Sequence, residues 1–242
     1  MTSEERRRYA AQLRLPEIGE QGMMRLKASA VLIVGCGALG SVAAMYLAGA
    51  GVGKIIIADF DTVEVSNLHR QPFFATAEAG LSKAYLLSRD MRELNPDVCV
   101  LTITKMITPD LLSQIYASQE CDGCIDFIID AADNPATTYM IDDFCRHHGV
   151  AYTTACVGGW KAQLLTWCPG ATPFSDLFPR PADDAANVLP CSLTGLAGPL
   201  SGMTGTIQAA EAIKFICGIG NLYTDRLFTV DLLSGNFHIL PV

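Results

Sequence analysis

Short apolar runs alternate along the chain with longer segments in which apolar residues recur at helical spacing. The runs predict buried strands over residues 30–34, 54–58, 98–102, 125–129, 151–156 and 163–167. The longer segments predict helices over residues 3–12, 39–50, 82–94, 109–117 and 135–148, with a linker over residues 16–22. This alternation is typical of a Rossmann-like, doubly wound α/β fold with a mostly parallel sheet.

The alternation stops at residues 168–190, which are rich in Pro, Asp and Ala and have little periodicity. Loops of this length are usually functional or disordered. Residues 194–220 predict a long buried helix with its lead-in, and not a membrane span, because Pro199, Glu211 and Lys214 interrupt the apolar stretch. Two short strands, 227–231 and 236–240, predict an antiparallel C-terminal extension of the sheet.

Composition narrows the class of function. The formal net charge is −8 and charged residues make up 17% of the chain. This balance argues against a nucleic-acid-binding protein, because phosphate backbones need a basic surface. The charged first fifteen residues predict no secretory signal. Nine scattered cysteines, an odd number, favour reduced thiols and a cytoplasmic location.

A glycine motif, Gly35-x-Gly37-x-x-Gly40, lies between the first predicted strand and the helix that follows it. Glycines at this spacing allow a tight turn, close approach of the backbone to a phosphate, and close packing of the helix on the strand. Asp59 ends the next strand, at the spacing expected for an acidic residue that binds ribose hydroxyls. The motif predicts nucleotide binding, and a tight β–α turn without a ligand is the alternative.

A polar cluster after Asp59 favours a triphosphate over a dinucleotide. Residues 66–71 read Ser-Asn-Leu-His-Arg-Gln, and Lys83 follows. Arg70 and Lys83 are suited to neutralise the β and γ phosphates of ATP, whereas a dehydrogenase does not need two such cations. Solvated surface cations are the alternative interpretation.

A second cluster follows the fourth predicted strand, at the edge of the sheet where ligands bind in this fold. Asp133 is suited to hold a Mg²⁺ ion that bridges phosphates. Asp130 and Asn134 are also suited to cap the helix that begins at Pro135. Further along, Cys191 ends the irregular segment, either as a nucleophile for an activated acyl group or as a small buried apolar residue.

These segments together resemble the ThiF/MoeB/HesA family, the bacterial relatives of ubiquitin-activating enzymes. The resemblance covers nearly the whole chain and is greatest to the thiamine-pathway members. The matching segments are Arg8-Tyr9, residues 31–35, 48–53, 59–61 and 66–71, Lys83, Asn95-Pro96, Asp133-Asn134, Gly198-Pro199, and residues 208–214.

The resemblance implies a reaction. The C-terminal Gly-Gly carboxylate of a small ubiquitin-like sulfur carrier protein attacks the α-phosphate of ATP, which gives an acyl-adenylate and pyrophosphate. Sulfur from a donor such as a cysteine desulfurase or rhodanese later displaces AMP. The expected carrier is ThiS of thiamine (thiazole) biosynthesis, with the small subunit of molybdopterin synthase as the alternative. The family also implies a homodimer.

The resemblance further implies roles for individual residues. Ala38 donates a backbone N–H to phosphate, Asp59 binds ribose, Asp133 binds Mg²⁺, and Cys191 forms a covalent link to the carrier. The full set expected to bind ATP is Gly35, Gly37, Ala38, Gly40, Asp59, Asp61, Ser66, Asn67, Arg70, Gln71, Lys83, Asp133 and Asn134. Arg70, Lys83 and Asp133 are expected to act in catalysis.

We expect one adenylation domain over residues 1–242. Its parts are an N-terminal helix (1–22), a nucleotide-binding core (28–167), a crossover loop that clamps the tail of the carrier (168–191), and a C-terminal helix and hairpin (192–242). No nucleic-acid or membrane partner is expected.

The chain departs from the family pattern at three places. Ala11 replaces an arginine that reaches into the ATP site of the partner subunit, and we hypothesise that Arg8, or the adjacent Arg6 or Arg7, supplies this charge. Ala38 stands where the family often has glycine. Many members have two Cys-x-x-Cys pairs that bind zinc, and neither pair is present in this sequence. Phe174 and Leu177 stand at the positions of the first pair, and the positions of the second pair would come after Val242.

No structural zinc is therefore expected, since a closed site usually needs four ligands. The remaining pair, Cys121 and Cys124, predicts a loop with incidental cysteines, with a redox role as the alternative. Two other functions stay open at this point. One is an NAD-dependent oxidoreductase, disfavoured by Arg70, Lys83 and Asp133, and the other is a non-catalytic scaffold that binds a ubiquitin-like protein, favoured only by Ala11.

Overall fold

A computed structural model describes residues 1–118, 125–180 and 195–242. Its strands form one sheet in the order β3-β2-β1-β4-β5-β6-β7-β8. The strands are β1 Ala30–Val34, β2 Lys54–Ala58, β3 Cys99–Ile103, β4 Phe127–Asp130, β5 Ala151–Gly158, β6 Lys161–Trp167, β7 Arg226–Asp231 and β8 Asn236–Pro241. The first five strands in this order are parallel, and β6 to β8 continue the sheet in antiparallel pairing.

Helices cover both faces of the parallel strands, which confirms the doubly wound α/β architecture. They are α1 Ser3–Arg8, α2 Ala10–Leu13, α3 Gly19–Ala28, α4 Gly40–Ala50, α5 Lys83–Leu94, α6 Pro109–Ala117, α7 Pro135–His148, α8 Phe174–Leu177 and α9 Gly198–Cys217. Helices α3, α4, α5 and α9 bury their apolar residues on one face, and α6 and α7 bury theirs on the other. All five residues of β1 are buried, as expected for a central parallel strand.

The N-terminal region differs from the sequence prediction. The predicted helix over residues 3–12 is divided at Tyr9, because the buried Tyr9 ring packs against Gly51 and its hydroxyl accepts a hydrogen bond from Asn95 Nδ2 at 2.8 Å. The linker predicted over residues 16–22 is wrong, since α3 begins at Gly19. Gly22 is inside this helix, where it allows close contact with Cys217 of α9.

Helix α9 packs near the carboxyl ends of the parallel strands. A Cβ atom on Gly205 would lie 2.3 Å from the Leu39 carbonyl oxygen, so the backbone of α9 approaches the start of α4 as closely as glycine permits. The buried Gln208 side chain donates to the Asp130 carbonyl oxygen at 2.7 Å. Among the described residues, no helix combines the length and the hydropathy needed to cross a bilayer.

The two glycines of α9 should respond oppositely to alanine. Gly205→Ala forces its Cβ into the Leu39 backbone, so we expect a loss of about 2–3 kcal/mol or more in the free energy of unfolding. Gly202→Ala meets no atom within 4 Å and should add about 0.5–1 kcal/mol through helix propensity. Urea unfolding measures both; equal effects of the two substitutions would contradict the packing described here.

Candidate functional site

The glycine turn between β1 and α4 uses its three glycines differently. A Cβ atom on Gly40 would lie 1.8 Å from the Gly35 carbonyl oxygen, and Gly35 has a φ of +94°. Both positions are therefore restricted to glycine by the protein itself. Gly37 is not, because the nearest atom to its added Cβ is Gln71 Nε2, at 3.5 Å. The absence of a side chain at Gly37 is consistent with space for a ligand.

The turn also presents hydrogen-bond donors. The backbone N–H groups of Gly37 and Ala38 donate to no acceptor within the described part of the chain. They precede the N-terminus of α4, where the helix dipole favours negative charge. Gln71 lies beside the turn with only 4% of its surface exposed, and its Oε1 atom has no hydrogen-bond partner among the described residues. The two N–H groups and the helix N-terminus form a neutral cradle suited to an anion, whereas Gln71 Oε1 can only accept a hydrogen bond.

Asp59 connects the glycine turn to the segment after β2. Its Oδ2 accepts the Cys36 N–H at 2.6 Å and its Oδ1 accepts the Asp61 N–H at 2.7 Å. Burial raises the pKa of the Asp59 carboxyl, and these two hydrogen bonds oppose that shift. Each carboxylate oxygen can accept a second hydrogen bond, so the expected contact with ribose hydroxyls is chemically open.

Two cations follow Asp59 along the chain. Arg70 Nη2 donates to Asn67 Oδ1 at 2.7 Å, and its Nη1 lies 3.4 Å from the Ser66 carbonyl oxygen. Lys83 is the first residue of α5, and its Nζ lies 3.1 Å from Asp61 Oδ2. The Lys83 side chain is 5% exposed, whereas the Asp61 side chain is 49% exposed. The structure thus holds both cations in defined positions through neighbouring polar groups.

The three polar residues Asp130, at the end of β4, and Asp133 and Asn134, which follow it, have separate roles. Asp130 is buried, and its Oδ2 accepts hydrogen bonds from the hydroxyls of Thr138 and Thr154, each at 2.7 Å. Burial raises the pKa of the Asp130 carboxyl, and the two hydroxyls oppose that effect. Asp130 therefore joins β4 to α7 and β5 and does not face a ligand.

Asn134 caps α7, since its Oδ1 accepts the Thr137 N–H at 2.9 Å. Of the two capping interpretations, this one is confirmed, while its expected contact with ATP stays a prediction. Asp133 is exposed, its side chain forms no hydrogen bond or ion pair with another described residue, and the described residues contain no cluster of three or more His, Cys, Asp or Glu side chains that could hold a metal without a substrate. Its carboxylate is therefore available at the strand end where the sequence predicts a metal.

The described segments on the two sides of residues 181–194 are both fixed by contacts with the rest of the chain. Tyr139 Oη on α7 donates to the Phe178 carbonyl oxygen at 2.9 Å, and the Phe174 ring packs 5.3 Å from the Tyr139 ring. At the other end, the Gly159 N–H donates to the Gly195 carbonyl oxygen at 2.9 Å. Cys191 and the Cys121–Cys124 pair lie outside the described residues.

Arg8 is not brought to the cluster around Lys83 of the same chain. Its Nη1 donates to the Leu94 carbonyl oxygen at 3.0 Å, at the C-terminal end of α5. Lys83 begins this helix, and a helix of its length spans about 16 Å. Arg6 forms an ion pair with Glu20, and Ala11 is exposed.

Sequence reasoning named Gly198 only as part of a matching segment and did not find the packing role of the glycines that bring α9 to the site. A Cβ atom on Gly198 would lie 2.6 Å from the His69 carbonyl oxygen, so the start of α9 lies directly against the backbone that carries Arg70. Thr138 and Thr154, which hold Asp130, were also not predicted. The signal for Thr154 is the register of the sheet, in which it lies opposite Asp130. No local motif marks either threonine.

Comparison with solved structures shows the fold. The chain superposes on Escherichia coli MccB, solved with MccA-N7isoASN, with a TM-score of 0.81 over 97% of this chain and 72% of that one, at 22% sequence identity. It superposes on PaaA with a TM-score of 0.81 over 100% of this chain and 75% of that one, also at 22% identity. Both share the parallel sheet with its antiparallel extension.

Comparison with curated sequences shows the family. The chain is 37% identical to the Bos taurus adenylyltransferase and sulfurtransferase MOCS3 over 99% of its length, and spans about half (51%) of that protein. It is 34% identical to the SAMP-activating enzyme E1 of Haloferax volcanii, over 97% of this chain and 84% of that one. The model of the ThiF family matches residues 9–242. The chain therefore belongs to the ThiF family.

Proposed function

We propose that this protein uses ATP to adenylylate the C-terminal carboxylate of a small ubiquitin-like protein that ends in Gly-Gly. The observation that carries the proposal is the bare Gly37 position, beside two backbone N–H groups without acceptors in the described structure. Arg70 directly precedes Gln71, whose amide lies beside Gly37, and the buried Lys83 is close enough to Cys36 in the turn to lower the pKa of its thiol against the larger effect of burial. The names of the relatives, an adenylyltransferase and an activating enzyme, support the same reaction.

The reaction assigned to the site has one displacement. An oxygen of the carrier carboxylate forms a bond to the α-phosphorus of ATP as the bond from that phosphorus to the β-bridging oxygen breaks, and pyrophosphate leaves with the electron pair. The Gly37 and Ala38 N–H groups are suited to stabilise charge on the phosphates. Asn67 holds Arg70, Asp61 contacts Lys83 before ATP binds, and both cations are suited to bind the polyphosphate of ATP.

Mg²⁺ fits the residues present. This ion is usually held by one or two carboxylates together with the phosphates of the substrate. Asp133 offers one exposed carboxylate at the strand end, which is the donor set such a site needs. When bound there, the ion would neutralise phosphate charge as pyrophosphate leaves.

Two carrier proteins are candidates for this reaction, ThiS and the small subunit of molybdopterin synthase. Relatives of this chain are named for MOCS3 and for SAMP activation, and neither name mentions thiamine. The molybdopterin synthase subunit therefore fits about as well as ThiS. The MOCS3 relatives of Bos taurus, Xenopus laevis and Sus scrofa are about twice as long as this chain and are also named sulfurtransferases, so a sulfur donor and the later sulfur transfer are proposals for the whole protein.

The first prediction tests the reaction. ATP–pyrophosphate exchange should depend on a carrier with an intact Gly-Gly terminus. Arg70→Ala and Lys83→Ala should each lower the exchange rate at least about a hundredfold, since each removes a cation from the developing charge. A carrier that lacks its last glycine is the control. Equal exchange with both carriers, or binding of NAD in preference to ATP, would exclude the proposed function.

A second prediction concerns the cradle. Gly37→Ala should leave the free energy of unfolding within about 1 kcal/mol of wild type, because its Cβ meets only the end of Gln71. The same methyl group should lower ATP affinity at least about tenfold, since it occupies the position of closest approach. Gly49→Ala, on an exposed position at the far end of α4, is the matched control and should not change ATP affinity.

A third prediction concerns the arginine of the partner subunit, on the further proposal that the protein acts as a homodimer. Arg8→Ala, or alanine at Arg6 or Arg7, should lower the exchange rate at least about tenfold. Ala11→Arg should raise it, because Ala11 is exposed and accepts a long side chain. Unchanged rates in all four variants would show that no arginine of this segment serves the site.

A further inference from the structure

Lys83 is a cation with little access to water. Its side chain is 5% exposed, and the residue begins α5 with its backbone N–H bound to the Asp61 carbonyl oxygen at 3.1 Å. Within the described ranges, Asp61 is the one carboxylate that contacts its ammonium group. An ammonium group has three donors, so this single contact leaves capacity for further acceptors. Leaving a buried cation of this kind without a negative partner is strongly unfavourable.

Asp61 differs from Lys83 in the exposure of its side chain to solvent. Its backbone is fixed at both sides, since its N–H donates to Asp59 Oδ1 at 2.7 Å and its carbonyl accepts from Lys83. Its side chain is 49% exposed, so the carboxylate can turn into water without a desolvation cost. The lysine is therefore the fixed member of the pair, and the carboxylate is the member free to leave.

We propose that Asp61 is a positioning residue that occupies Lys83 in place of polyphosphate and exchanges with it during turnover. When ATP binds, its phosphates take over the ammonium group and the Asp61 carboxylate turns to solvent. When pyrophosphate leaves, Asp61 returns to Lys83, so the departing anion does not leave a bare buried cation behind. This inference rests on the proposed function and assigns Asp61 an action through Lys83, not a contact with ATP.

The other ionisable groups near Lys83 cannot exchange places with phosphate in this way. Asp59 is buried, and both of its oxygens already accept backbone N–H groups, so it cannot turn away. Cys36 is buried, and burial raises the pKa of its thiol well above the ordinary value, so the thiol stays neutral. Asp61 alone among these groups combines the charge with the freedom to move.

The test is calorimetric titration of the full-length protein with ATP, inorganic pyrophosphate and AMP. Asp61→Asn removes the competing charge and keeps the size of the side chain. The affinity for ATP and for pyrophosphate should rise about tenfold, the size of effect of one close charge pair, while that for AMP should change less than twofold. Asp97→Asn, which removes an exposed charge at the opposite edge of the sheet, should change none of the three.

A double-mutant cycle isolates the pair. In a Lys83→Met background, Asp61→Asn should no longer alter the affinity for pyrophosphate. Asp61→Ser is the second variant should the asparagine variant not fold. Unchanged or weaker binding of ATP and pyrophosphate by both Asp61 variants would overturn this inference and leave the proposed function standing. No binding of ATP by the wild-type protein would instead remove the proposed function itself.

Discussion

The Asp59 carboxylate is the interaction on which the arrangement of the site depends. Its two oxygens accept N–H groups from two segments that are far apart in the chain, at Cys36 in the glycine turn and at Asp61 after β2. Burial raises the pKa of the Asp59 carboxyl, and those two N–H groups oppose that shift. The shape of the turn, the position of Asp61 and, through Asp61, the position of Lys83 all follow from one buried group.

A second constraint on the site comes from helix α9, which packs against the glycine turn. Glycines at positions 198 and 205 let the backbone of α9 lie against His69 and Leu39. Because Leu39 precedes α4 and His69 precedes Arg70, one helix sets the positions of both the anion cradle and its arginine. A larger side chain at either glycine would separate these parts, although neither glycine needs to contact a ligand.

Local signals predicted the elements well where caps are strong. Helices α6 and α7 follow the predicted bounds, since Thr108 and Asn134 accept N–H groups of the first turn and proline occupies the first helical position of each. Strands β1 and β2 also match the prediction, because continuous apolar runs bounded by glycine or aspartate leave little ambiguity. Helix α3 was missed, since Pro16, Gly19 and Gly22 resemble a linker when their packing partners are unknown.

The sequence names candidate residues for the site, which stay predictions, but it does not name the contacts among them. Gly37, Arg70 and Lys83 follow from motif and spacing. The hydrogen bonds of Asp59 and the contact between Asp61 and Lys83 depend on how the turn, the segment after β2 and the start of α5 pack together. No pattern within one segment encodes such contacts.

The change from parallel to antiparallel pairing at β5 brings further backbone to the side of the glycine turn. Strand β5 pairs with β4 up to Thr154, opposite Asp130, and then continues through residues 155–158 beyond the end of β4. The turn that follows binds the returning chain, since Gly159 exchanges backbone hydrogen bonds with Gly195 and Ala197. Helix α9 begins at the next residue, against His69. Val157 of β5 and Leu200 of α9 share one buried cluster with Ala38 and Leu39, so the extended end of β5 and the start of α9 together hold the backbone of the glycine turn in place.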